Sequence, residues 1–380
     1  MTTLSEVETL LSDLVAIDST NPDLAPGAVG EANLARFVLG WLERAGLEVH
    51  VDEVRPGRPN VIGLARGSGG GRTLQLNAHL DTVSAGGMPL PHRPRVADGR
   101  LYGRGAYDMK CGLAACMLAA AAARRLTLRG DVMVTGVMDE EYAGLGSLDV
   151  ARRYPADGAI VAESTELQLI VAHKGFVWLE VETQGLAAHG SLPELGVDAI
   201  AKMGPVLTAV EQLGQELKAR TPHPRLGHGS LHASLIQGGL EPSTYPDRCR
   251  LTLERRTLPG ESPAAVEGEL QAVLDRLSRA DPAFKATVRC TLDRGPLETP
   301  EGAAIVPALS AAADKVLSRA PELAGVPYWT DAASLWAAGI PSVIFGPTGA
   351  GAHADEEWVD LESVRACAEI YLEAARGFCA

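Results

Sequence analysis

The sequence predicts an α/β protein with a mainly parallel central sheet flanked by helices, interrupted by a smaller inserted α+β domain. Strand-like and helix-like segments alternate at both ends of the 380-residue chain, which is typical of crossover connections between parallel strands. The stretch between them has the order βαββαβ, which is typical of a ferredoxin-like domain. We therefore expect residues 1–174 and 294–380 to form the larger domain, and residues 175–293 to form the insertion.

Each element of the larger domain has a recognisable pattern. Apolar runs bounded by turn residues predict buried strands, and a longer Ala-rich run predicts a buried helix. The strands are TLQLNAHLDTV (73–83), DVMVTGVM (131–138), GAIVAE (158–163) and PSVIFG (341–346), and the helices are GLAACMLAAAAARRL (112–126), a segment at about 302–318, the short DAASLWAAG and a final helix capped by Asp360.

The insertion alternates in a different way. Its strands show apolar and polar residues in turn, as expected when only one face of a sheet is buried. Ser262 as N-cap and Pro263 at the first position begin its second helix. In order the elements are FVWLEVETQG, a helix over 196–219 that includes Gly204 and Pro205, SLHASLIQGG, RCRLTLERRTL, SPAAVEGELQAVLDRLSRA and FKATVRCTL.

Composition excludes several classes of protein. The formal net charge of -14 argues against a nucleic-acid or anionic-membrane surface, because both require basic patches. No apolar stretch reaches membrane-spanning length, and the acidic N-terminal helix pattern lacks the basic region of a signal peptide. The six cysteines form no CxxC pair, so we expect reduced thiols in a cytoplasmic protein.

Two adjacent glutamates, Glu140 and Glu141, follow the apolar run DVMVTGVM in the segment GVMDEEYAGLGS. Like charges repel each other and resist burial, so their position at the end of a core strand requires a reason. Either the strand has reached solvent there, or the two acids face a cation.

His79 and Asp81 in NAHLDTV are two residues apart on a predicted strand, so we expect both side chains on one face. A histidine whose second ring nitrogen is held by a carboxylate is a common arrangement for a metal ligand. Most His-x-Asp triplets are incidental, and this one alone would not identify a site.

Three more candidates follow strands or turns. Asp108 in LYGRGAYDMK would by itself be read as a helix cap. Glu163 ends the strand GAIVAE, and His353 lies in a Gly-rich loop after PSVIFG. Together with Glu141 and His79 they fall at or near one edge of the predicted sheet, where open α/β folds bind ligands. Five histidine and carboxylate donors without a cysteine suit two catalytic ions bridged by one carboxylate better than a structural zinc site.

The motifs AHLDTV, LYGRGAYDMK, MDEE and AES, followed by the late His353, resemble those of the co-catalytic zinc hydrolases. That family includes acetylornithine deacetylase, succinyl-diaminopimelate desuccinylase, aminoacylase and glutamate carboxypeptidase. The resemblance covers nearly the whole chain and preserves the order of the motifs. It implies a zinc-peptidase-like catalytic domain and an inserted domain that serves as a lid and dimerisation domain.

The resemblance also implies a role for each candidate. His79 and Glu163 would bind one zinc ion, Glu141 and His353 the other, and Asp108 would bridge the two. Glu140 would be the general base, and the Asp81 carboxylate would orient His79. Cobalt or manganese are possible substitutes for zinc, because sites of His and carboxylate ligands accept all three metals.

In the insertion, the resemblance assigns roles to residues that the pattern alone would not single out. His189 in GLAAHGSLPELG matches a histidine that stabilises the oxyanion, usually across a dimer interface. Arg256 in RRTLPGE matches an arginine that binds a substrate carboxylate, for which a planar guanidinium is better suited than a lysine. The sequence departs from the family at Ser243, where a substrate-contacting Asn is common, and at Cys111, where many relatives have Gly.

We therefore predict a metal-dependent hydrolase that cleaves the amide bond of an N-acyl amino acid, with a deacetylase or desuccinylase type of activity. Water activated between the two metal ions would attack the carbonyl after Glu140 takes its proton. Alternatives are an exopeptidase on small peptides or dipeptides, and a non-catalytic metal-containing relative that binds small ligands. A nucleotide-dependent enzyme is disfavoured, because GRGAYD lacks the GxGxxG spacing. We expect a homodimer formed through the insertion.

Overall fold

The computed structural model describes residues 2–380 and divides the chain into two compact units. The first unit takes in the chain up to Val171, together with residues 299–324 and 330–380. The second comprises residues 172–298 and 325–329. The short segment 325–329, which the sequence places in the larger domain, is thus grouped with the second unit.

The helices are α1 (Leu4–Val15), α2 (Ala32–Arg44), α3 (Lys110–Ala123), α4 (Leu145–Arg153), α5 (Ala199–Ala219), α6 (Pro263–Ala280), α7 (Ile305–Leu317), α8 (Ala332–Ala337) and α9 (Leu361–Phe378). The strands are β1 (Glu48–Arg55), β2 (Arg58–Ala65), β3 (Leu74–His79), β4 (Arg95–Ala97), β5 (Arg100–Tyr102), β6 (Val132–Val137), β7 (Gly158–Val161), β8 (Leu169–His173), β9 (Gly175–Gln184), β10 (Ser230–Gly238), β11 (Arg248–Thr257), β12 (Lys285–Arg294), β13 (Leu297–Glu298), β14 (Leu323–Val326), β15 (Ser342–Ile344), β16 (Gly349–Ala350) and β17 (Trp358–Asp360).

The central sheet of the first unit has the strand order β1-β2-β6-β3-β7-β15-β8. Its four middle strands, β6, β3, β7 and β15, run parallel to one another, and antiparallel pairs flank them on both sides. Every residue of these four strands is buried, which explains why they appear in the sequence as continuous apolar runs. The predicted α/β class with a mainly parallel sheet is confirmed.

Helix α3 lies in the core of the first unit, against α1, α9 and strand β3. It approaches strand β7 very closely at Gly112, where an added Cβ would lie 2.0 Å from the carbonyl oxygen of Ala162. Only a glycine permits that approach. The close contact brings the start of α3, which begins two residues after Asp108, beside the residue that precedes Glu163.

The second unit contains a four-stranded antiparallel sheet with the order β10-β11-β9-β12. Its elements follow the order β9, α5, β10, β11, α6 and β12, which is the βαββαβ pattern of a ferredoxin-like fold. The apolar sides of α5 and α6 pack on the sheet in a core of their own.

Two further observations complete the fold. Helix α7 begins at Ile305 rather than at residue 302, because residues 301–304 form turns before it. Within residues 2–380, no helix combines the length and the apolar character needed to cross a bilayer.

Candidate metal centre

The candidate metal ligands follow neighbouring strands of the parallel part of the sheet. His79 is the last residue of β3, and Glu141 and Glu163 come shortly after β6 and β7. His353 lies in the hairpin loop between β16 and β17, in a left-handed conformation with φ 63°. Because the carboxyl ends of parallel strands meet at one edge of a sheet, the ends of β3, β6 and β7 deliver their donors to one place, and the hairpin loop brings His353 to it. Asp108 reaches it from the turn before α3.

The donors form two groups that share Asp108. In the first, His79 Nε2 lies 3.1 Å from Asp108 Oδ1 and 3.5 Å from Glu163 Oε1. In the second, His353 Nε2 lies 3.2 Å from Asp108 Oδ2 and 3.1 Å from Glu141 Oε2. Ligands at about 2.1 Å from a tetrahedral zinc ion lie roughly 3.4 Å apart. The spacing of the donors therefore matches two metal positions, with one Asp108 oxygen directed to each.

The orientation of His79 leaves Nε2 available to a metal. Nδ1 lies 2.8 Å from the main-chain carbonyl oxygen of Asp81, and because a carbonyl oxygen only accepts, Nδ1 must be the donor. In the neutral ring Nε2 then keeps its lone pair, which is the form that a metal ligand needs.

The role expected for the Asp81 side chain requires correction. Its carboxylate lies 3.7 Å from His79 Nδ1, too far for a hydrogen bond, and it is the Asp81 main chain that orients the ring. The carboxylate instead accepts hydrogen bonds from the backbone N–H groups of Glu140 and Glu141, each at 3.1 Å. Strand β3 ends at His79, so the alternation that would place both side chains on one face does not extend to Asp81.

Glu140 lies beside the first group of donors. Its Oε2 is 4.0 Å from His79 Nε2, and its side chain is 11% exposed. Burial raises the pKa of Glu140 well above its usual value; the charge of His79 opposes this rise, and the carboxylate of Glu163 adds to it. The carboxyl group is therefore in a setting that favours holding a proton.

The two histidines balance the acids in the metal-free protein. Hydrogen bonds to Asp108 and Glu141 raise the pKa of His353 to about 10. Burial alone would lower the pKa of His79, but the Glu163 carboxylate and the hydrogen bond to Asp108 outweigh it, and the pKa is raised. Both imidazoles therefore carry protons where metal ions would otherwise place their charge.

The pKa shifts of the three candidate carboxylate ligands differ with the groups that surround each of them. Burial opposes ionisation of Asp108, but hydrogen bonds from His353 and His79 outweigh it and hold its pKa below the usual range. Burial, together with the charge of Asp108, raises the pKa of Glu141 to about 7. Burial also raises the pKa of Glu163 well above its usual value. Carboxylates this close to one another repel, so they can all be ionised only when a cation offsets their charge.

The donor set fits two divalent ions. It consists of imidazole and carboxylate groups, which suit zinc, cobalt or manganese. Glu141 Oε1 is buried and has no hydrogen-bond partner among residues 2–380, as expected for an oxygen at a metal position. Among the described residues, then, the cluster has the donor types, the donor spacing and the excess of carboxylates expected of a two-metal site.

The remaining candidates belong to the second unit. His189 and Ser243 come from neighbouring segments: Thr244 forms a β-bridge with His189, and the Ser243 carbonyl oxygen accepts a hydrogen bond from the backbone N–H of Gly190 at 2.7 Å. Arg256 lies near the end of β11, donates from Nε to Glu254 at 2.7 Å and stacks over the ring of Phe176.

Several buried polar residues that support the site escaped the sequence analysis. Asn21 donates from Nδ2 to the carboxylates of Asp81 at 2.7 Å and Asp139 at 3.2 Å. The buried Arg58 pairs with Asp139 and Glu31. Asn21 precedes a proline in TNPD and therefore resembles an ordinary turn residue. Asp139 directly precedes the glutamate pair, which is the more obvious candidate in the sequence.

Asp331 was also missed. It is 1% exposed, and burial raises its pKa to about 7, with a contribution from the charge of Asp81. Its carboxylate is close enough to raise the pKa of Glu140 and of Glu163. In the sequence its position at the start of a short helix resembles that of an ordinary N-cap.

A parallel sheet whose carboxyl edge holds two metal-ligand groups joined by a shared carboxylate defines a metal-dependent hydrolase of the two-metal class. The family model for peptidase family M20/M25/M40 matches residues 75–377, and the chain belongs to this family. The resemblance noted from the motifs is thereby confirmed, and so is the prediction that the protein is a metal-dependent hydrolase.

Two relatives and two solved structures illustrate the similarity. The chain is 32% identical to acetylornithine deacetylase of Myxococcus xanthus, over 99% of this chain and 98% of that protein. It is 29% identical to N-formyl-4-amino-5-aminomethyl-2-methylpyrimidine deformylase of Bacillus subtilis, over 93% and 91%. The fold matches aminopeptidase PepT of Bacillus cereus with a TM-score of 0.80, at 19% identity over 100% and 99% of the two chains. It matches a dinuclear metal binding peptidase of family M20 from Bacillus subtilis with a TM-score of 0.76, at 17% identity over 98% and 97%.

Proposed function

We propose that this protein is a dinuclear zinc amidohydrolase that removes the acyl group from an N-acyl amino acid. The observation that carries the proposal is the pair of donor groups that share Asp108, with the carboxyl group of Glu140 beside them. In this assignment His79 and Glu163 would hold one ion, Glu141 and His353 would hold the other, and Asp108 would be shared by the two. When bound, the two ions supply Lewis-acid polarisation of the amide carbonyl and lower the pKa of water.

Glu140 handles the proton. It takes a proton from the attacking water, whose oxygen forms a bond to the carbonyl carbon, and it later returns that proton to the nitrogen as the carbon–nitrogen bond breaks. The products are a carboxylic acid and an amine. The position of Glu140 suits this exchange, because its Oε2 lies 4.0 Å from Nε2 of the proposed ligand His79, beside the place where the water would react. Asp81 keeps the main chain of Glu140 in place, because its carboxylate accepts a hydrogen bond from the backbone N–H of Glu140.

His189 is proposed to stabilise the developing oxyanion. The backbone N–H of Ser191 lies 3.2 Å from His189 Nδ1, which therefore accepts, so in the neutral ring the proton is on Nε2. The Ser191 hydroxyl lies 2.7 Å from the same nitrogen and in that tautomer donates to it. His189 thus presents an N–H donor, which is what an oxyanion requires.

Arg256 and Ser243 are proposed to bind the substrate. The bond from Arg256 Nε to Glu254 fixes one side of the guanidinium group, which leaves its two terminal nitrogens to form a bidentate contact with an α-carboxylate. The exposed hydroxyl of Ser243 would contribute a weaker polar contact beside His189.

The proposed substrate class is based on the names of the two relatives described above. Their names describe a deacetylase and a deformylase, and both terms denote removal of a small acyl group. The solved structures of peptidases match at less than 25% identity and support the fold alone. Deacylation is therefore favoured over exopeptidase activity, although the same residues would perform either reaction.

We also propose a homodimer that forms through the second unit. Strand β10 is an edge strand of its sheet, and Leu235, Ile236 and the nearby Leu240 are exposed. On α5, Ile200 and Leu207 are exposed as well. An unpaired edge with exposed apolar side chains favours pairing with a second copy. The cytoplasm remains the proposed location, and the six cysteines, all free, support it.

The experiment that tests the proposed function is a zinc titration of the metal-stripped protein. Activity would be measured on N-acetylornithine, N-succinyl amino acids, the formylated aminomethylpyrimidine and dipeptides. We expect activity to rise up to two equivalents of zinc and to favour one of the N-acyl substrates. A preference for dipeptides would favour the exopeptidase alternative, and two bound ions without turnover of any substrate would contradict the proposal.

A further inference from the structure

Glu357 has no part in the chemistry described so far, yet it is buried next to the metal ligands. It belongs to the turn that follows His353, and it is 1% exposed. Its Oε1 accepts hydrogen bonds from the backbone N–H groups of Tyr107 at 2.8 Å and Asp108 at 3.0 Å. One carboxylate oxygen is thus bonded to the main chain of the proposed bridging ligand.

The second oxygen of Glu357 binds the same segment further upstream. Oε2 accepts from the backbone N–H of Gly105 at 3.0 Å and from Nη1 of Arg104 at 2.7 Å. All four of these donors therefore lie within residues 104–108, the turn that presents Asp108. A carboxylate bonded four times to one short turn fixes the path of that turn.

Arg104 extends the connection to the other ligand loop. It is 1% exposed, and its Nη2 donates to the main-chain carbonyl oxygen of Ala354 at 2.9 Å. Ala354 directly follows His353. Glu357 and Arg104 together thus link the turn that carries Asp108 to the turn that carries His353.

The two groups of metal donors differ in what else holds them. His79 ends a central strand and Glu163 follows another, so hydrogen bonds of the sheet fix their main chains. Asp108 and His353 lie beyond the ends of their strands: His353 is in the hairpin loop between the paired strands β16 and β17, and Asp108 is six residues past β5, which pairs with β17. A metal site requires ligand distances within about 0.2 Å of their ideal values, so these loops need another means of fixation.

We propose that Glu357 is a positioning residue of the metal site, which together with Arg104 holds Asp108 and His353 at the spacing that the second metal ion requires. This inference rests on the metal site of the proposed function. The competing explanation is that the buried pair stabilises the fold alone. The two explanations differ in their effect on metal affinity, because a purely structural pair would not distinguish between the two metal positions.

The test is a calorimetric titration of metal-stripped Glu357→Gln with zinc, accompanied by the visible absorption spectrum of the cobalt form. The amide of Gln keeps the shape of Glu but replaces an accepting oxygen with a donor. We expect the second equivalent to bind about 10- to 100-fold more weakly, the range typical for residues that support metal ligands. The first equivalent should lose less, because His79 and Glu163 remain fixed by the sheet.

Glu362→Gln is the matched control. Glu362 pairs with Arg365 on helix α9, and its side chain is 56% exposed. This variant also loses one glutamate charge from a Glu–Arg pair, and both equivalents of zinc should bind to it as they do to the unaltered protein. Thermal unfolding of each metal-free protein, measured in parallel, reports any general loss of stability.

Arg104→Lys provides a second variant if Glu357→Gln does not fold. A lysine can pair with Glu357 but cannot at the same time reach the Ala354 carbonyl oxygen, so we expect a smaller weakening of the second equivalent. Unchanged binding of both equivalents, or equal weakening of the two, would overturn the inference even if the unfolding temperature falls. If the unaltered protein fails to bind two ions, the proposed function and this inference both fail.

Discussion

The candidate metal-ligand edge of the first unit and the proposed recognition residues of the second unit differ in how firmly their side chains are held. Asp81 is buried, and its carboxylate accepts hydrogen bonds from Asn21 and from the main chain of both members of the glutamate pair. His189, by contrast, is exposed, and the partner of its ring lies only two residues away. The side chains of the buried edge are held by contacts between distant segments, whereas the ring of His189 has a local partner and only the main chain of its loop is joined to residues 243–244.

This difference indicates a division of labour. Groups that act on the reacting atoms need accurate positions, and a network of buried hydrogen bonds supplies them at the cost of desolvation. Groups that recognise a substrate can be ordered when the substrate binds. We therefore expect substitutions in the first unit to lower kcat and those of Arg256 and Ser243 to raise KM.

The largest effect is expected for Glu140→Gln. Gln keeps the size of the side chain but cannot take a proton, so kcat should fall by about 10²- to 10⁴-fold, the range of general acid–base catalysis. Zinc content, measured by atomic absorption, should remain at the level of the unaltered protein. A near-normal kcat with both metals bound would remove Glu140 from the role of base.

How far the sequence predicts this edge depends on the kind of contact. His79, Glu141 and Glu163 could be predicted because each follows an apolar strand and carries a metal-binding group. Asn21 and Glu357 could not, since their partners across the fold are set by the path of the loops. The misassigned Asp81 carboxylate shows the same limit: the strand pattern holds up to His79 and gives no guidance in the next two residues.

His189→Ala should have the next largest effect, and it tests whether an exposed residue can take part in the chemistry. Loss of an oxyanion donor typically lowers kcat by about 10²- to 10³-fold. If His189 acts on the site of a partner subunit, mixing this inactive variant with inactive Glu140→Gln should restore part of the activity in heterodimers. Subunit exchange confirmed by mass spectrometry without any recovery of activity would contradict a shared site.

Arg256→Ala should raise KM with little change in kcat. A hydrogen bond to a charged group contributes about 1.5–3 kcal/mol, which corresponds to roughly 10- to 100-fold in KM. The effect should be confined to substrates with a free α-carboxylate, and Arg256→Lys should recover only part of the loss. An equal rise in KM for carboxylate-blocked amides would show that Arg256 does not bind that group.

The pH dependence of metal binding examines the metal-ligand edge, including His353, whose side chain is 55% exposed. His353, whose pKa is raised to about 10, is protonated in the metal-free protein at neutral pH, and a metal ion must displace that proton. The affinity of the metal-free protein for a metal ion at the His353 position should therefore increase as the pH rises from 7 towards 10. Below pH 7 the dependence should be steeper, because Glu141, with a pKa of about 7, then carries a second proton. Affinity that does not vary with pH would contradict protonated ligands in the metal-free site.

The smallest effect is expected for Ser243→Ala. This variant tests whether a residue assigned to substrate recognition affects KM alone. The bond from Gly190 goes to the main-chain oxygen of Ser243, so removing the hydroxyl leaves the loop of His189 in place. A neutral hydrogen bond contributes about 0.5–1.5 kcal/mol, so kcat/KM should fall by roughly 2- to 12-fold, through KM. Ser243→Asn, which restores the residue common in the family, should change the ranking of acyl groups in the substrate panel without lowering kcat. A large fall in kcat for Ser243→Ala would mean that Ser243 contributes to the chemistry, as His189 is proposed to do, and not to recognition alone. The difference between the buried edge and the exposed loop would then describe how firmly the side chains are held, and not their roles in the reaction.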